Sequence, residues 1–304
     1  MLKLRIITAI FIAIPALWLI WNGTASEVLV AAGVVVLLAG LEWAKFAHLN
    51  SETQKQLYLA LLAITMYASA SYVGLLDDGA IASAQLEHIL IFTSIHWFVL
   101  LLWVKGYPIR AESWRALIIR AFVSASRSSN RIVAHILLWY TTIIRGYLGL
   151  VVLVPVWLAL AALKSVPNGH WLLLWLISIV VFADTGAYFA GRKWGKRKLA
   201  PTVSPGKTWE GFFGGLACNL VATLAIGIFV GLDSMVLMAF IATGVLTSGA
   251  SVLGDLCESM LKRDRGIKDS GALLPGHGGV MDRIDSLTAA APVFALCLIG
   301  MGWL

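Results

Sequence analysis

One stretch near the carboxyl end concentrates charge and glycine in a chain that is otherwise very apolar. It spans residues 254–286 and reads GDLCESMLKRDRGIKDSGALLPGHGGVMDRIDS, whereas the whole chain is 60% hydrophobic and 13% charged. Its first polar residues follow helical spacing, so a helix would carry them on one face: Asp255, Glu258, Ser259 and Lys262. Carboxylate oxygens bind Mg²⁺, and lysine and arginine bind phosphate. The stretch therefore has the residue types of a metal and nucleotide-phosphate site.

The second half of this stretch adds a glycine turn and two more carboxylates. Residues 275–279 read PGHGG, a run that can bring backbone N–H groups close to an anion. Asp282 and Asp285 follow, three residues apart, just before the last apolar run. The alternative is a solvated loop between two membrane helices, which is often charged but needs no such spacing.

The order of these residues resembles the signature of the CDP-diacylglycerol synthases, also called phosphatidate cytidylyltransferases. The resemblance covers residues 146–304 well and the preceding part only in general character. It implies that CTP and phosphatidate are converted to CDP-diacylglycerol and diphosphate, with Mg²⁺ and with a second cation left open. The matching positions are Ser259, Lys262, Arg263, Lys268, Asp269, His277, Gly278, Gly279, Asp282, Arg283 and Asp285.

The resemblance, together with the chemistry of the side chains, assigns roles to individual residues. Asp255 and Asp282 are the predicted metal ligands, and Asp184, Glu258 and Asp285 are second choices. Lys207, Lys262 and Arg263 join Asp255 and Asp282 as predicted catalytic residues. The predicted substrate-binding set is Ser204, Lys207, Ser259, Lys262, Arg263, Lys268, Gly276, His277, Gly278, Gly279 and Arg283.

Two shorter runs upstream resemble a second motif of the same family. Asp184 stands in an apolar segment, where a carboxylate costs about 3 kcal/mol at the bilayer centre and less near an end. Residues 204–211 read SPGKTWEG, and we expect Lys207 to meet a phosphate. The run 206–208 imitates the end of a P-loop, but Pro201 stands where that motif needs its first glycine. No strand is expected before it either, so a P-loop is rejected.

Composition places the chain in the membrane. Its mean hydropathy is +0.86 over 304 residues, which predicts a polytopic membrane protein. Since only helices or closed barrels span lipid, the long apolar runs predict an all-α fold. The net charge of +7 fits basic loops and anionic lipid headgroups better than nucleic acid, which is not expected as a partner.

Nine transmembrane helices are expected, with the site at the cytoplasmic ends of the C-terminal ones. We predict N-terminal transmembrane helices over 1–105 and a C-terminal transmembrane catalytic domain over 147–304. Between them, 106–146 is either a basic amphipathic segment on the inner membrane face or, over 132–144, part of a longer bent span. The predicted spans are 1–21, 28–44, 57–76, 89–104, 147–163, 171–190, 211–230, 235–254 and 287–303.

The distribution of lysine and arginine predicts the orientation. Loops 45–56, 105–146, 191–209 and 255–286 hold most of the positive charge, and these four would share one side of the membrane. Positively charged loops stay in the cytoplasm. We therefore expect a multi-pass protein of the cytoplasmic membrane with its N-terminus in the cytoplasm.

Other functions remain compatible with parts of the pattern. A cytidylyltransferase could act on another lipid phosphate, such as an isoprenoid ether, and a catalytically inactive scaffold could keep the motif. An ion transporter would use intramembrane carboxylates near helix centres, whereas most of these carboxylates fall at helix ends. The expected partners are CTP, phosphatidate and membrane lipids, and a homodimer is left open.

Overall fold

A computed structural model describes residues 2–76, 81–107 and 130–304. Within these ranges the chain forms nine helices. Eight of the described helices are long and apolar enough to cross a membrane, and α1 adds the shorter apolar stretch Ile7–Asn22. The predicted all-α polytopic fold is confirmed. The helices are α1 (Leu2–Asn22), α2 (Ala25–Phe46), α3 (Glu52–Val73), α4 (Ser83–Gly106), α5 (Asn130–Ser165), α6 (Gly169–Trp194), α7 (Trp209–Val230), α8 (Ser234–Asp264) and α9 (Met281–Gly300).

Helix α5 is the centre of the bundle. In its span Thr141–Ser165, 78% of the residues in the most apolar stretch are buried. In the other seven spans the corresponding share is 22–50%. It packs against α2, α3, α4, α6 and α9. The helix carries the run 132–144 directly into the span predicted over 147–163, so this run belongs to a longer helix. The basic residues from 108 to 129 lie outside the described part of the chain.

The last two helices begin and end differently from the predicted spans. Helix α8 continues to Asp264, ten residues past the predicted end of the eighth span at 254. Helix α9 begins at Met281, six residues before the predicted start of the ninth span at 287. The cause is that charged residues can extend a helix beyond its apolar part, which hydropathy alone does not report. The segment between them, residues 265–280, is called the charged loop below.

A short β-hairpin, which the sequence did not predict, joins α6 to α7. Strands β1 (Lys198–Ala200) and β2 (Ser204–Thr208) are antiparallel, with Lys198 opposite Thr208. Both oxygens of Glu210 accept hydrogen bonds from the backbone N–H groups of Lys196 and Arg197 at 3.0–3.2 Å. These bonds connect the start of the hairpin to the start of α7. The expectation that no strand precedes 206–208 is therefore wrong, although Pro201 still departs from the P-loop pattern.

Small residues let α6 and α7 pack closely. The buried residues of α7 recur every four positions, which makes one stripe along the helix: Gly211, Gly215, Asn219, Thr223 and Gly227. Such stripes are the usual contact between membrane helices, because lipid provides no hydrophobic drive for helix association. Asn219 also donates to the carbonyl of Gly244 on α8 at 2.6 Å. The stripe therefore fixes α7 against both neighbours.

Contacts at the two ends of α1 show which face of the bundle it starts from. Near its start, the hydroxyl of Thr8 donates to the carbonyl of Pro275 in the charged loop at 3.0 Å. Near its end, the Trp21 ring meets the Trp171 ring at the start of α6, with centroids 5.1 Å apart. The start of α1 and the charged loop therefore lie at the same face.

The close packing of α6 on α7 can be tested at Gly215. A Cβ there would stand 2.5 Å from the backbone oxygen of Ala183, so we expect Gly215→Ala to lower the free energy of unfolding by about 1–3 kcal/mol. The measurement is thermal unfolding in detergent. Gly249→Ala on α8 is the control, since a Cβ there meets nothing within 4 Å. Equal melting temperatures for the two variants would contradict this packing.

Candidate active site

The C-terminal end of α8 presents the first group of polar side chains. Because the helix continues to Asp264, the predicted common face of Asp255, Glu258, Ser259 and Lys262 forms as a helical stripe. The Ser259 hydroxyl donates to Oδ1 of Asp255 at 3.1 Å. This bond leaves Oδ2 of Asp255 for a second partner from another element.

Lys207 of the hairpin supplies that partner. Its Nζ lies 2.7 Å from Oδ2 of Asp255, and each side chain is about a quarter exposed. Asp184, on α6, interacts electrostatically with both Lys207 and Asp255. Two consecutive elements, α6 and the hairpin, therefore meet the more distant α8 and place a cation near two carboxylates.

Lys262 makes a second set of ion pairs, between α8 and α9. Its Nζ lies 2.7 Å from Oε2 of Glu258 and 2.8 Å from Oδ1 of Asp282. Glu258 and Asp282 are almost fully buried, at 1% and 7% side-chain exposure. An ammonium group shared by two buried carboxylates holds the two helices together, because removing it would leave both charges unpaired.

The start of α9 lies close to α8 for a further reason. Gly254 faces the carbonyl of Asp285, and a Cβ at this position would overlap that oxygen. The approach brings Asp285 into electrostatic contact with Asp255 and Glu258. The carboxyl group of Asp285 therefore belongs to one cluster with those of Asp255 and Glu258.

The glycine turn of the charged loop closes on Asp282. Gly276 and Gly278 both have a positive φ, of 75° and 81°, which a residue with a side chain rarely adopts. The turn brings the N–H of Gly279 to 2.8 Å from Oδ2 of Asp282, and the N–H of Ser270 lies 3.0 Å from the same oxygen. Asp282 thus accepts from two backbone groups as well as from Lys262.

The remaining predicted site residues lie around this cluster. Arg263 donates through Nε to the carbonyl of Val203 at 3.2 Å, which links α8 to the hairpin. The backbone N–H of His277 donates to Leu274 at 2.9 Å, while its buried Nδ1 has no hydrogen-bond partner among the described residues. Ser204 is half-buried in β2, and Lys268 and Arg283 are exposed. The structure brings Asp184, Lys207 and Asp255 together, and Lys268 and Arg283 take no part in the ion pairs of Lys207 and Lys262.

A cleft of about 370 Å³ opens beside Lys207, between α6, the hairpin, α7 and α8. Its polar lining comes from Asp184, Arg192, Lys207 and Thr208, and aromatic rings from α6 and α7 complete the wall. The cleft therefore offers both charged groups and apolar surface, as a substrate with an anionic and an apolar part requires. It is lined by Asp184, Ala187, Tyr188, Gly191, Arg192, Leu199, Gly206, Lys207, Thr208, Gly211, Phe212 and Val252.

The donor set suits a metal ion that is shared with substrate. Among the residues whose side chains the structure describes, no three His, Cys, Asp or Glu are grouped so that they could hold a metal ion by themselves. Mg²⁺ is commonly bound by only one or two carboxylates, with phosphate oxygens and water as its other ligands. The carboxylates around Lys207 are oxygen ligands of that type, so the residues present fit Mg²⁺.

One residue that sequence reasoning missed is Glu42, at the end of α2. It is 1% exposed, and its Oε2 accepts from the hydroxyl of Ser270 and from the N–H of Met281 at 2.9 and 2.8 Å. The available signal was a lone glutamate in a predicted apolar span, which is costly and usually functional. The sequence could not show that it meets the charged loop.

Comparison with known proteins gives a consistent result along the chain. The model of the cytidylyltransferase family matches residues 3–299. A phosphatidate cytidylyltransferase of Haemophilus influenzae is 38% identical over 306 residues, covering 97% of this chain and 98% of that protein. One of Pseudomonas aeruginosa is 39% identical over 303 residues, covering 100% and 99%. One of Staphylococcus epidermidis is 46% identical over 127 residues, covering 42% and 48%.

The family match extends over the N-terminal helices as well as the site. It includes the hairpin with Lys207, the end of α8 with Asp255 and the start of α9 with Asp282. The two relatives that align from end to end exceed 30% identity. This chain belongs to the cytidylyltransferase family.

Proposed function

We propose that this chain transfers the cytidylyl group of CTP to phosphatidate, giving CDP-diacylglycerol and diphosphate. The observation that carries the proposal is the ion pair of Lys207 with Asp255 at the edge of a cleft, in a chain that aligns from end to end with two phosphatidate cytidylyltransferases. The pair supports the proposal because a cation beside a carboxylate suits the binding of a nucleotide phosphate together with its metal.

The chemistry needs charge neutralisation more than it needs a base. An oxygen of the phosphatidate monoester attacks the α-phosphorus of CTP, the bond from that phosphorus to the bridging oxygen breaks, and diphosphate leaves. The attacking oxygen is already anionic at neutral pH, so the obstacle is repulsion between anions. Cationic side chains that hold both phosphates in line lower this barrier.

Lys207 is the residue we assign to that task. In the structure its ammonium group is held by Asp255 and faces the cleft. A bound phosphate would compete with Asp255 for this ammonium group. Arg263 and Lys268, at the end of α8 and in the charged loop, are assigned to further phosphate contacts. Lys262 is bound to Glu258 and Asp282, so its first role is to hold the two helices in place.

Asp255 is the first candidate ligand for Mg²⁺, followed by Asp184 and Asp285. When bound, the ion would neutralise charge on the transferring phosphates. The prediction that Asp282 shares the metal with Asp255 remains a prediction. Both oxygens of Asp282 accept hydrogen bonds in this structure, so an ion bound at Oδ1 would compete with Lys262 for that oxygen.

We further propose that the site faces the cytoplasm and that the protein lies in the inner membrane. The positively charged loops support this orientation. The contact of Thr8 with Pro275 also supports it, because it places the start of α1 on the face that carries the charged loop. CTP is supplied from the cytoplasm, so this orientation gives the site its nucleotide.

The proposal is tested by the conversion of CTP in sealed vesicles. Purified protein is reconstituted with phosphatidate, and CDP-diacylglycerol is measured after CTP is added outside, with vesicles sorted by protein orientation. We expect turnover only where CTP reaches the charged loop, little with ATP, and faster turnover with phosphatidate than with an isoprenoid-ether phosphate. Preference for the ether lipid would keep the chemistry and change the substrate. No nucleotide turnover with either lipid would reject the function.

The role of Lys207 gives a separate expectation. Lys207→Ala removes a charge-assisted contact worth about 2–3 kcal/mol, so we expect kcat/KM to fall roughly a hundredfold. Lys196→Ala is the matched control, since Lys196 is an exposed lysine near the same hairpin whose backbone, not its side chain, bonds to Glu210. Similar kcat/KM values for the two variants would mean that Lys207 contributes only to the general positive charge of this face.

A further inference from the structure

Glu42 of α2 meets the charged loop at Ser270, and all three polar groups of that serine are held. The Ser270 hydroxyl donates to Oε2 of Glu42 at 2.9 Å, and its N–H donates to Asp282. Its carbonyl accepts from Nζ of Lys45, one helical turn beyond Glu42, at 3.0 Å. Ser270 is 1% exposed, so these bonds are shielded from water. The end of α2 therefore fixes this residue from two sides.

Glu42 also holds the start of α9 directly. The same oxygen, Oε2, accepts from the N–H of Met281 at 2.8 Å, and Met281 is the residue immediately before Asp282. Glu42 thus restrains both the helix position next to Asp282 and the loop residue that donates to Asp282. Any movement of this carboxylate would move the Asp282 side chain, and with it the ion pair to Lys262.

The cost of this arrangement indicates that it has a role beyond stability. Glu42 is buried, yet its second oxygen, Oε1, has no hydrogen-bond partner among the described residues. An unsatisfied buried carboxylate oxygen costs free energy that an apolar residue at the end of a membrane helix would not. The loop is packed against it, since a Cβ at Gly271 or Gly279 would collide with the Glu42 carboxylate.

We propose that Glu42 is a positioning residue of the cytidylyl-transfer site, acting through Ser270 and Met281 to set Asp282 and Lys262. The N-terminal helices are then part of the active site's framework, in addition to anchoring the protein. The inference rests on the proposed function. Glu42 acts through the position of its acceptor oxygen and not through its charge, because both of its partners are neutral donors.

Three substitutions distinguish the effect of the position of the acceptor oxygen from the effect of the charge of Glu42. Glu42→Gln keeps an acceptor oxygen at the same length and removes the charge. Glu42→Asp keeps the charge but is one methylene shorter and cannot reach both donors. Ser270→Ala removes only the hydroxyl and leaves the backbone N–H that donates to Asp282. Glu52→Gln is the matched control, because Glu52 is an exposed glutamate at the start of α3 with 80% of its side chain accessible.

The measurement is kcat per folded molecule and KM for CTP. The folded fraction is taken from unfolding curves in detergent. We expect Glu42→Asp to lower kcat roughly ten- to a hundredfold, since small misplacements of a site cost about this much. KM for CTP should change less than threefold. Glu42→Gln should recover most of the loss, Ser270→Ala should fall in between, and Glu52→Gln should match wild type.

Other results would contradict either the role proposed for Glu42 or the proposed function. Unchanged kcat per folded molecule in Glu42→Asp and Ser270→Ala would show that Glu42 is only structural and would overturn the proposal. Activity in Glu42→Asp with loss in Glu42→Gln would assign the effect to charge and would also overturn it. If Glu42→Asp does not fold, Ser270→Ala decides by the same criterion. A wild-type protein without CTP turnover would instead reject the proposed function.

Discussion

The ion pairs of Lys207 and Lys262 hold together the end of the bundle where the proposed chemistry takes place. Lys207 connects the hairpin to Asp255 of α8, and Lys262 connects Glu258 of the same helix to Asp282 of α9. These groups stand at the ends of apolar helices, where an unpaired charge is costly. The pairing therefore fixes the relative positions of β2, α8 and α9 and defines the shape of the site.

The same cluster has more acidic groups than basic ones. Five carboxyl groups, those of Asp184, Asp255, Glu258, Asp282 and Asp285, lie in one electrostatically connected group with two lysines. CTP and phosphatidate would add further negative charge, so accompanying cations would favour their binding. The proposed metal, shared with phosphate, would offset part of this charge and would compete with Lys207 for Asp255.

Much of the fold could be predicted because only helices and closed barrels can span lipid. Long apolar runs had to become helices, and the spacing of Asp255, Glu258, Ser259 and Lys262 was enough to place them on one face once the segment was helical. The helix ends were less predictable, since α8 continues through charged residues that hydropathy excludes from a span. The hairpin was missed because strands of three and five residues carry too little pattern.

The pairing of site residues was the part that the sequence could not supply. Nothing local indicates that Lys207 meets Asp255, since 47 residues and two helices of unknown packing separate them. The contact of Glu42 with Ser270 spans 228 positions and depends on how α2 packs against the loop. Asp282 was expected to bind metal, yet the backbone N–H groups of Ser270 and Gly279, whose positions follow from the turn, donate to its Oδ2, while Lys262 donates to its Oδ1.

The competition between Lys207 and a metal ion for Asp255 is tested most directly by the binding of Mn²⁺ to the purified protein, followed by electron paramagnetic resonance without nucleotide or lipid. If Lys207 occupies Asp255 until a cation replaces it, Lys207→Ala should bind Mn²⁺ several-fold more tightly than wild type, because the competing ammonium group is gone. Asp255→Asn should lose this binding. Equal or weaker Mn²⁺ binding in Lys207→Ala, or unchanged binding in Asp255→Asn, would contradict the account.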